Sequence, residues 1–220
     1  MTIFIGLAGK KQVGKDTAAV MLENLFEAAG FSTTITSFAE PMKNICVDVL
    51  GLSHEGAFGT DEQKNQLSNL VWNTLPSEIR YRHSNETELV LTSGSQADER
   101  PKMRSGHMTN REVMQIVGTD IFRTMLSGNV WAEAPFNKRW RHNVVIIADC
   151  RFPNEKEAIE AHGGVVLRLT RETGMGGDQH LSEIALDDTV FSHQYRNDGT
   201  LDSLESTLTT FVEDILNVKS

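Results

Sequence analysis

Gly9 and Gly14 are separated by four residues, Lys10-Lys11-Gln12-Val13, and Lys15-Asp16-Thr17 follows directly. Glycines at that spacing let backbone N–H groups converge on phosphate oxygens, and a lysine after the second glycine can reach the β- and γ-phosphates of a nucleoside triphosphate. Asp16 stands where a Ser or Thr hydroxyl would ordinarily meet the metal, with Thr17 one place later. Asp16 could hold Mg²⁺ directly or through water, or it could cap a helix N-terminus.

Such a loop works only between two particular elements. Residues 3–8 (Ile-Phe-Ile-Gly-Leu-Ala) are an apolar, strand-like run. After the loop, Ala18, Met21, Leu22, Leu25, Phe26 and Ala29 recur at spacings of three and four. Strand, glycine loop and helix make a phosphate cradle, to which the helix start adds positive dipole.

Phosphoryl transfer also needs acids for a metal and arginines around the moving group. Residues 144–149 (Val-Val-Ile-Ile-Ala-Asp) are a continuous apolar run ending in an acid, as expected of a parallel strand buried on both faces. Asp149 is then a candidate metal ligand or a polar strand end. Arg151 lies just past it, placed to clamp a phosphate bidentately or to remain an ordinary rim residue. Arg111 opens a helix, where a cation opposes the dipole and invites an anionic partner. Gln115 is one turn on, either against a nucleobase edge or in solvent. Arg171 stands at the base of a glycine-rich stretch, 171–182, that reads as a lid-like loop or a plain turn. His180-Leu181-Ser182-Glu183 reads as a helix start. Asn197-Asp198-Gly199 is a turn signal that could also contact an adenine.

Between these motifs the chain alternates strand and helix. A second strand is expected over 31–38. A helix follows with Pro41 in its first turn and Met42, Ile45, Cys46, Val49 and Leu50 as its apolar face. Residues 52–108 are polar and turn-rich, and read as an inserted lobe of one 220-residue domain. Within it Thr60-x-x-Gln63 is a capping box opening a short helix through Leu67, Leu70 and Val71; 86–92 is a candidate strand and 93–107 a loop. A second capping box, Thr109-x-x-Glu112, precedes a helix through Val113, Ile116, Val117 and Ile121. Pro153 opens a helix ending at Gly163-Gly164, residues 165–170 and 189–195 are the last strands, and Leu201 to Leu216 form the face of a final helix. The alternation predicts an α/β fold: a parallel sheet covered by helices, with ligands beyond the carboxyl ends of the strands.

Net charge is −9, which opposes nucleic acid and anionic membranes as partners. No apolar run is long enough to span a bilayer. Cys46 and Cys150 are the two cysteines, too few for a disulfide framework or a zinc site, and a reducing cytoplasm is the expected setting.

Taken in order, Gly9–Thr17, Phe38-Ala39-Glu40-Pro41-Met42-Lys43, Arg111-x-x-x-Gln115-x-x-Gly118-Thr119-Asp120, Asp149-x-Arg151-Phe152-Pro153-Asn154-Glu155, His180-x-Ser182-Glu183 and Asn197-Asp198-Gly199-Thr200-Leu201 resemble the bacteriophage deoxynucleoside monophosphate kinases, within the P-loop nucleoside monophosphate kinase group. The resemblance covers most of the chain and is weakest over 52–108. It implies a P-loop NTPase-type sheet of about five strands with acceptor-binding and lid segments. It implies ATP and Mg²⁺, a deoxynucleoside 5′-monophosphate acceptor, and a diphosphate product for phage DNA synthesis in the host cytoplasm. Gly9, Val13, Gly14, Lys15, Asp16, Thr17, Asn197 and Gly199 would hold ATP, and Lys43, Arg111, Gln115 and Arg151 the acceptor. Lys15, Arg111, Arg151 and Arg171 would serve catalysis, and Asp16 and Asp149 the metal. A homodimer is left open. The phosphate loop itself also allows a same-fold kinase of another small acceptor, such as dephospho-coenzyme A or a phosphorylated metabolite; a low-turnover nucleotide-sensing module is a further alternative, against which the rim arginines argue.

Overall fold

The computed structural model describes residues 2–91, 97–172 and 185–218. The described residues divide into two compact units, 1–40 with 129–220, and 41–128.

The first unit is built on a five-stranded, wholly parallel sheet. Its strands are β1 (Ile3–Ala8), β2 (Thr33–Thr36), β7 (Val144–Cys150), β8 (Val165–Thr170) and β9 (His193–Arg196), in the order β2-β7-β1-β8-β9. The chain thus places its third sheet strand between the first two and adds the others on the far side of β1. The apolar run at 144–147 is fully buried residue by residue, because helices cover both faces of the sheet. Val144 and Ile146 pack with Ile5, Leu7, Leu167 and Leu169 against α1 (Lys15–Ala28) and the final helix, α9 (Leu201–Val218). Val145 and Ile147 pack with Val166 against Ile159 of α8 (Pro153–Ala161).

Two strands are shorter than their composition suggests. Residues 31–32 and 37–38 lie outside β2, since Ser32 instead bonds Asn143 through its side chain and Phe38 turns toward Asp149. The last strand begins at His193 rather than 189; Val190 is 85 % exposed. On α9, Leu204, Leu208, Phe211, Val212 and Ile215 are buried, whereas Leu201 lies exposed at the first turn.

The second unit contains the polar, turn-rich stretch 52–108 with flanking segments on both sides, and it has its own core. It begins along α2 (Glu40–Asp48) and continues with α3 (His54–Phe58), α4 (Asp61–Lys64), β3 (Leu67–Val71) and α5 (Ser77–Arg82). Then come β4 (Thr87–Leu91), β5 (Ala97–Pro101), β6 (His107–Thr109) and α6 (Asn110–Gln115), which runs into a π-helix, Ile116–Thr124. Cys46, Leu52, Trp72, Ile79, Met108, Val113, Ile116 and Val117 form the core. Both capping boxes form, at Thr60/Gln63 and Thr109/Glu112. The helix opened by Thr60 stops at Lys64, however. Leu67, Leu70 and Val71 belong to β3, paired antiparallel with β6, where Ser68 rather than Leu67 points inward, its hydroxyl donating to the Met108 carbonyl at 2.9 Å. Val49, expected on the apolar face of α2, lies beyond its end and is 73 % exposed. Back in the first unit, α7 (Val130–Glu133) ends before Pro135, which lacks the N–H to continue it. Among the described residues no helix is long and apolar enough to cross a membrane.

Candidate active site

The glycine loop leaves the carboxyl end of β1 and enters α1 at Lys15. Its backbone is left-handed at Gly9 (φ 147°), Gln12 (φ 62°) and Gly14 (φ 94°), the kind of irregular turn in which successive N–H groups form an anion-binding concavity. A Cβ at Gly9 would lie 2.4 Å from the Leu169 carbonyl oxygen, and one at Gly14 would lie 2.6 Å from Asn197 Nδ2. Both positions therefore favour glycine for conformation, and at Gly9 the backbone oxygen leaves no room for a side chain either. Val13 anchors the loop in the core. Lys15 folds its chain back along the loop, and Nζ donates to the carbonyls of Gly9 and Lys10, each at 2.6 Å. The ammonium is held inside the turn. Asp16 and Thr17 are exposed at the helix start.

Neighbouring strand ends bring the other candidates to the same rim. Ala8 pairs with Cys150 in the β1–β7 register, so Asp149 and Arg151 flank the end of the strand that feeds the loop. The Asp149 carboxylate accepts from the backbone N–H of Phe38 at 2.6 Å and of Ala39 at 3.2 Å, fixing the entry to α2. The Glu155 carboxylate, buried, accepts from the N–H of Arg151 at 2.7 Å and of Phe152 at 3.1 Å, which sets the turn that presents Arg151. Asn197, 6 % exposed, donates Nδ2 to the Val13 carbonyl at 2.9 Å, and its own N–H donates to the Thr170 carbonyl at 2.7 Å. Gly14, Thr17, Arg171, Asn197, Gly199, Thr200, Leu201 and Leu204 line a cleft of about 300 Å³. Asp198, next in sequence to Asn197, accepts from Arg196 and from the Glu172 N–H, and these bonds, the arginine's first, hold its carboxyl below the ordinary aspartate range.

In the second unit, Lys43 lies with Nζ 5.0 Å from the centre of the Phe58 ring. Arg111 donates Nε to Asn65 Oδ1 at 2.8 Å and a terminal nitrogen to Asp61 Oδ1 at 2.7 Å. The anionic partner expected for a cation at that helix start is thus supplied by the exposed Asp61, 83 % open to solvent. Gln115 is exposed.

Some of the framework has no direct signal in the sequence. Glu155 stands in a quoted motif without a role, and Asn197, read as a turn residue and nucleotide contact, gives no sign that it braces the loop at Val13. Arg82 and His83 carry no motif at all, yet both bond Asp120. The proposed lid falls mostly on residues 173–182, outside the described residues, as does the His180–Glu183 helix start.

Two comparisons bear on this arrangement. Residues 104–208 match the sequence profile of the deoxynucleotide monophosphate kinase family. A protein of Acanthamoeba polyphaga mimivirus, provisionally named a deoxynucleotide monophosphate kinase, is 29 % identical, across 84 % of this chain and 82 % of its own length.

Proposed function

We infer that this chain is a phosphotransferase, a deoxynucleoside monophosphate kinase that moves the γ-phosphate of ATP to a deoxynucleoside 5′-monophosphate. The observation that carries the reading is the glycine loop at the end of β1, with the Lys15 ammonium folded into it and the Asn197-lined cleft beside it. The family match over 104–208 and the mimivirus relative support the same reading.

In the reaction a phosphate oxygen of the acceptor attacks the γ-phosphorus, the bond to the β–γ bridging oxygen breaks, and ADP leaves with that electron pair. The acceptor oxygen is already anionic at neutral pH, so no general base is required. Catalysis is then positioning and charge stabilisation. Lys15 and the loop amides hold the β- and γ-phosphates. Asn197 keeps the loop open at Val13, and Gly199 and its neighbours receive the nucleoside. Arg151 and Arg171 supply charge to the transferring phosphoryl group. Arg111, Gln115 and Lys43 serve the acceptor.

Magnesium would neutralise the β- and γ-oxygens. Asp16, Thr17 and Asp149 are the hard oxygen donors suited to it. Among the described residues no three His, Cys, Asp or Glu side chains gather into a metal-holding group. That fits an ion carried largely by substrate phosphates and water, which takes only one or two protein ligands. The setting we infer is the cytoplasm of an infected host, where such an enzyme supplies deoxynucleoside diphosphates.

The test is ADP release from ATP and Mg²⁺ across a panel of deoxynucleoside monophosphates, dephospho-coenzyme A and phosphorylated metabolites. Turnover with one or more deoxynucleotides is expected. Turnover confined to another acceptor would reject the substrate assignment, and ATP binding without any phosphorylated product would favour a sensing module.

A further inference from the structure

We propose that Arg82 is an additional phosphate-binding residue for the acceptor nucleotide, held in place by the buried carboxylate of Asp120. The proposal rests on the kinase reading above and adds a residue to its acceptor side.

Asp120 is 2 % exposed and lies in the π-helix Ile116–Thr124, roughly one turn beyond Gln115. Its two oxygens take two different donors: NH1 of Arg82 on Oδ1 at 2.5 Å and Nε2 of His83 on Oδ2 at 2.8 Å. His83 in turn lies against the buried Trp72, ring centres 5.5 Å apart. The carboxylate is therefore fixed from two sides and cannot follow the arginine out to solvent.

Arg82 is different from its neighbours in that respect. Arg111 pairs with the open Asp61, and Arg100 with an exposed Asp98. Arg104 is spent between Glu112 and the face of Trp72. The Arg82 side chain remains 54 % exposed while its partner is 3 % exposed. One guanidinium nitrogen, NH1, is anchored on Asp120, while more than half of the side chain stays open to solvent. A fork fixed at one nitrogen has lost most of its rotamer freedom before a ligand arrives, so less is lost on binding a phosphate bidentately. π-Helical turns also concentrate at functional sites, where they bring side chains into register that an α-helix would separate. Here the π segment continues directly from α6, which carries Arg111 and Gln115.

The experiment uses the full chain with ATP, Mg²⁺ and whichever deoxynucleotide the wild type accepts. Arg82→Gln should raise the acceptor KM by about tenfold or more, as loss of a charge-assisted phosphate contact does, while the KM for ATP stays within about twofold. The matching deoxynucleoside, which lacks the phosphate, should inhibit wild type and variant equally. Arg82→Lys should recover part of the loss, because it keeps the charge without the fork. An acceptor KM unchanged in Arg82→Gln, or an equal loss for nucleoside and nucleotide, overturns the proposal. If Arg82→Gln does not fold, Arg82→Lys decides by the same comparison, an unchanged acceptor KM being the refuting result. A wild type that phosphorylates no deoxynucleotide would instead overturn the kinase reading on which the proposal stands.

Discussion

Asn197 donates its side-chain amide to the carbonyl of Val13 at 2.9 Å, so a residue 184 positions away holds the middle of the glycine loop. The bond is buried, and it ties the fifth strand of the sheet to the loop that follows the first.

Asn197→Ala removes the donor and leaves the Val13 carbonyl unpaired in a buried place. The cost should be about 1–3 kcal/mol of stability, read as a lower unfolding midpoint in urea. The loop would also lose its brace, so the KM for ATP should rise more than that for the acceptor. A variant with wild-type stability and wild-type KM for ATP would show that the loop stands without this contact.

Lys15→Ala should lower kcat by about 10²–10³-fold, the usual cost of removing one aligned charge from a developing anion. Stability should change little in the same protein, because water can reach the Gly9 and Lys10 carbonyls that the ammonium meets once the side chain is gone. Steady-state rates and a thermal melt on the same preparation separate the two effects. Full phosphotransfer in the variant would remove Lys15 from the donor site.

Gly9→Ala should be worse tolerated than Gly14→Ala, though both replace glycine at positive φ. The Cβ at Gly9 meets a backbone oxygen of β8, 2.4 Å away, which cannot move without disturbing the sheet; at Gly14 it meets the side-chain amide of Asn197, which can. Denaturant unfolding of the two variants ranks them, and the reverse order would contradict the packing described for the loop.

The sheet and its order of elements were legible because both faces are buried: Val144–Ile147 can be apolar throughout only if helices cover each side. The shape of the glycine loop was legible because its pattern is local, carried by nine consecutive residues. The second unit was harder to read. Leu67, Leu70 and Val71 have helical spacing, but pairing with His107–Thr109 across some forty residues makes them a strand. No local pattern reports such a partner. Asp120 shows the same limit. Its place in a motif was visible, whereas its bonds to Arg82 and His83 depend on a turn 37 residues earlier.

Both cysteines should resist alkylation in the native state and react only on unfolding. Burial pushes the Cys46 thiol up to about 11, and burial with the nearby Glu155 and Asp149 charges pushes Cys150 well above its ordinary value. Native thiols thus keep their protons when unfolded ones begin to lose them. Their contribution to stability is complete below the unfolded pKa, near 9, and is lost as pH rises through it toward the folded value. The expected result is falling stability across the range from about 9 to 11, together with slow reaction with a maleimide at neutral pH. Rapid labelling of folded protein would show that these sites open readily.

Asp149→Asn separates two duties that one carboxylate can carry. The acid accepts from the amides of Phe38 and Ala39 through different oxygens, and the β1–β7 register sets it beside the glycine loop. Asparagine keeps one acceptor and turns a donor toward the other amide, so α2 should be less firmly held at its entry and stability should fall by about 1–3 kcal/mol. If the carboxylate also serves magnesium, the variant needs more Mg²⁺ for half-maximal rate, and excess Mg²⁺ restores part of the activity at unchanged stability. A purely structural Asp149 gives a lower unfolding midpoint with the wild-type Mg²⁺ dependence. The two curves, rate against Mg²⁺ and signal against denaturant, therefore assign the duties independently.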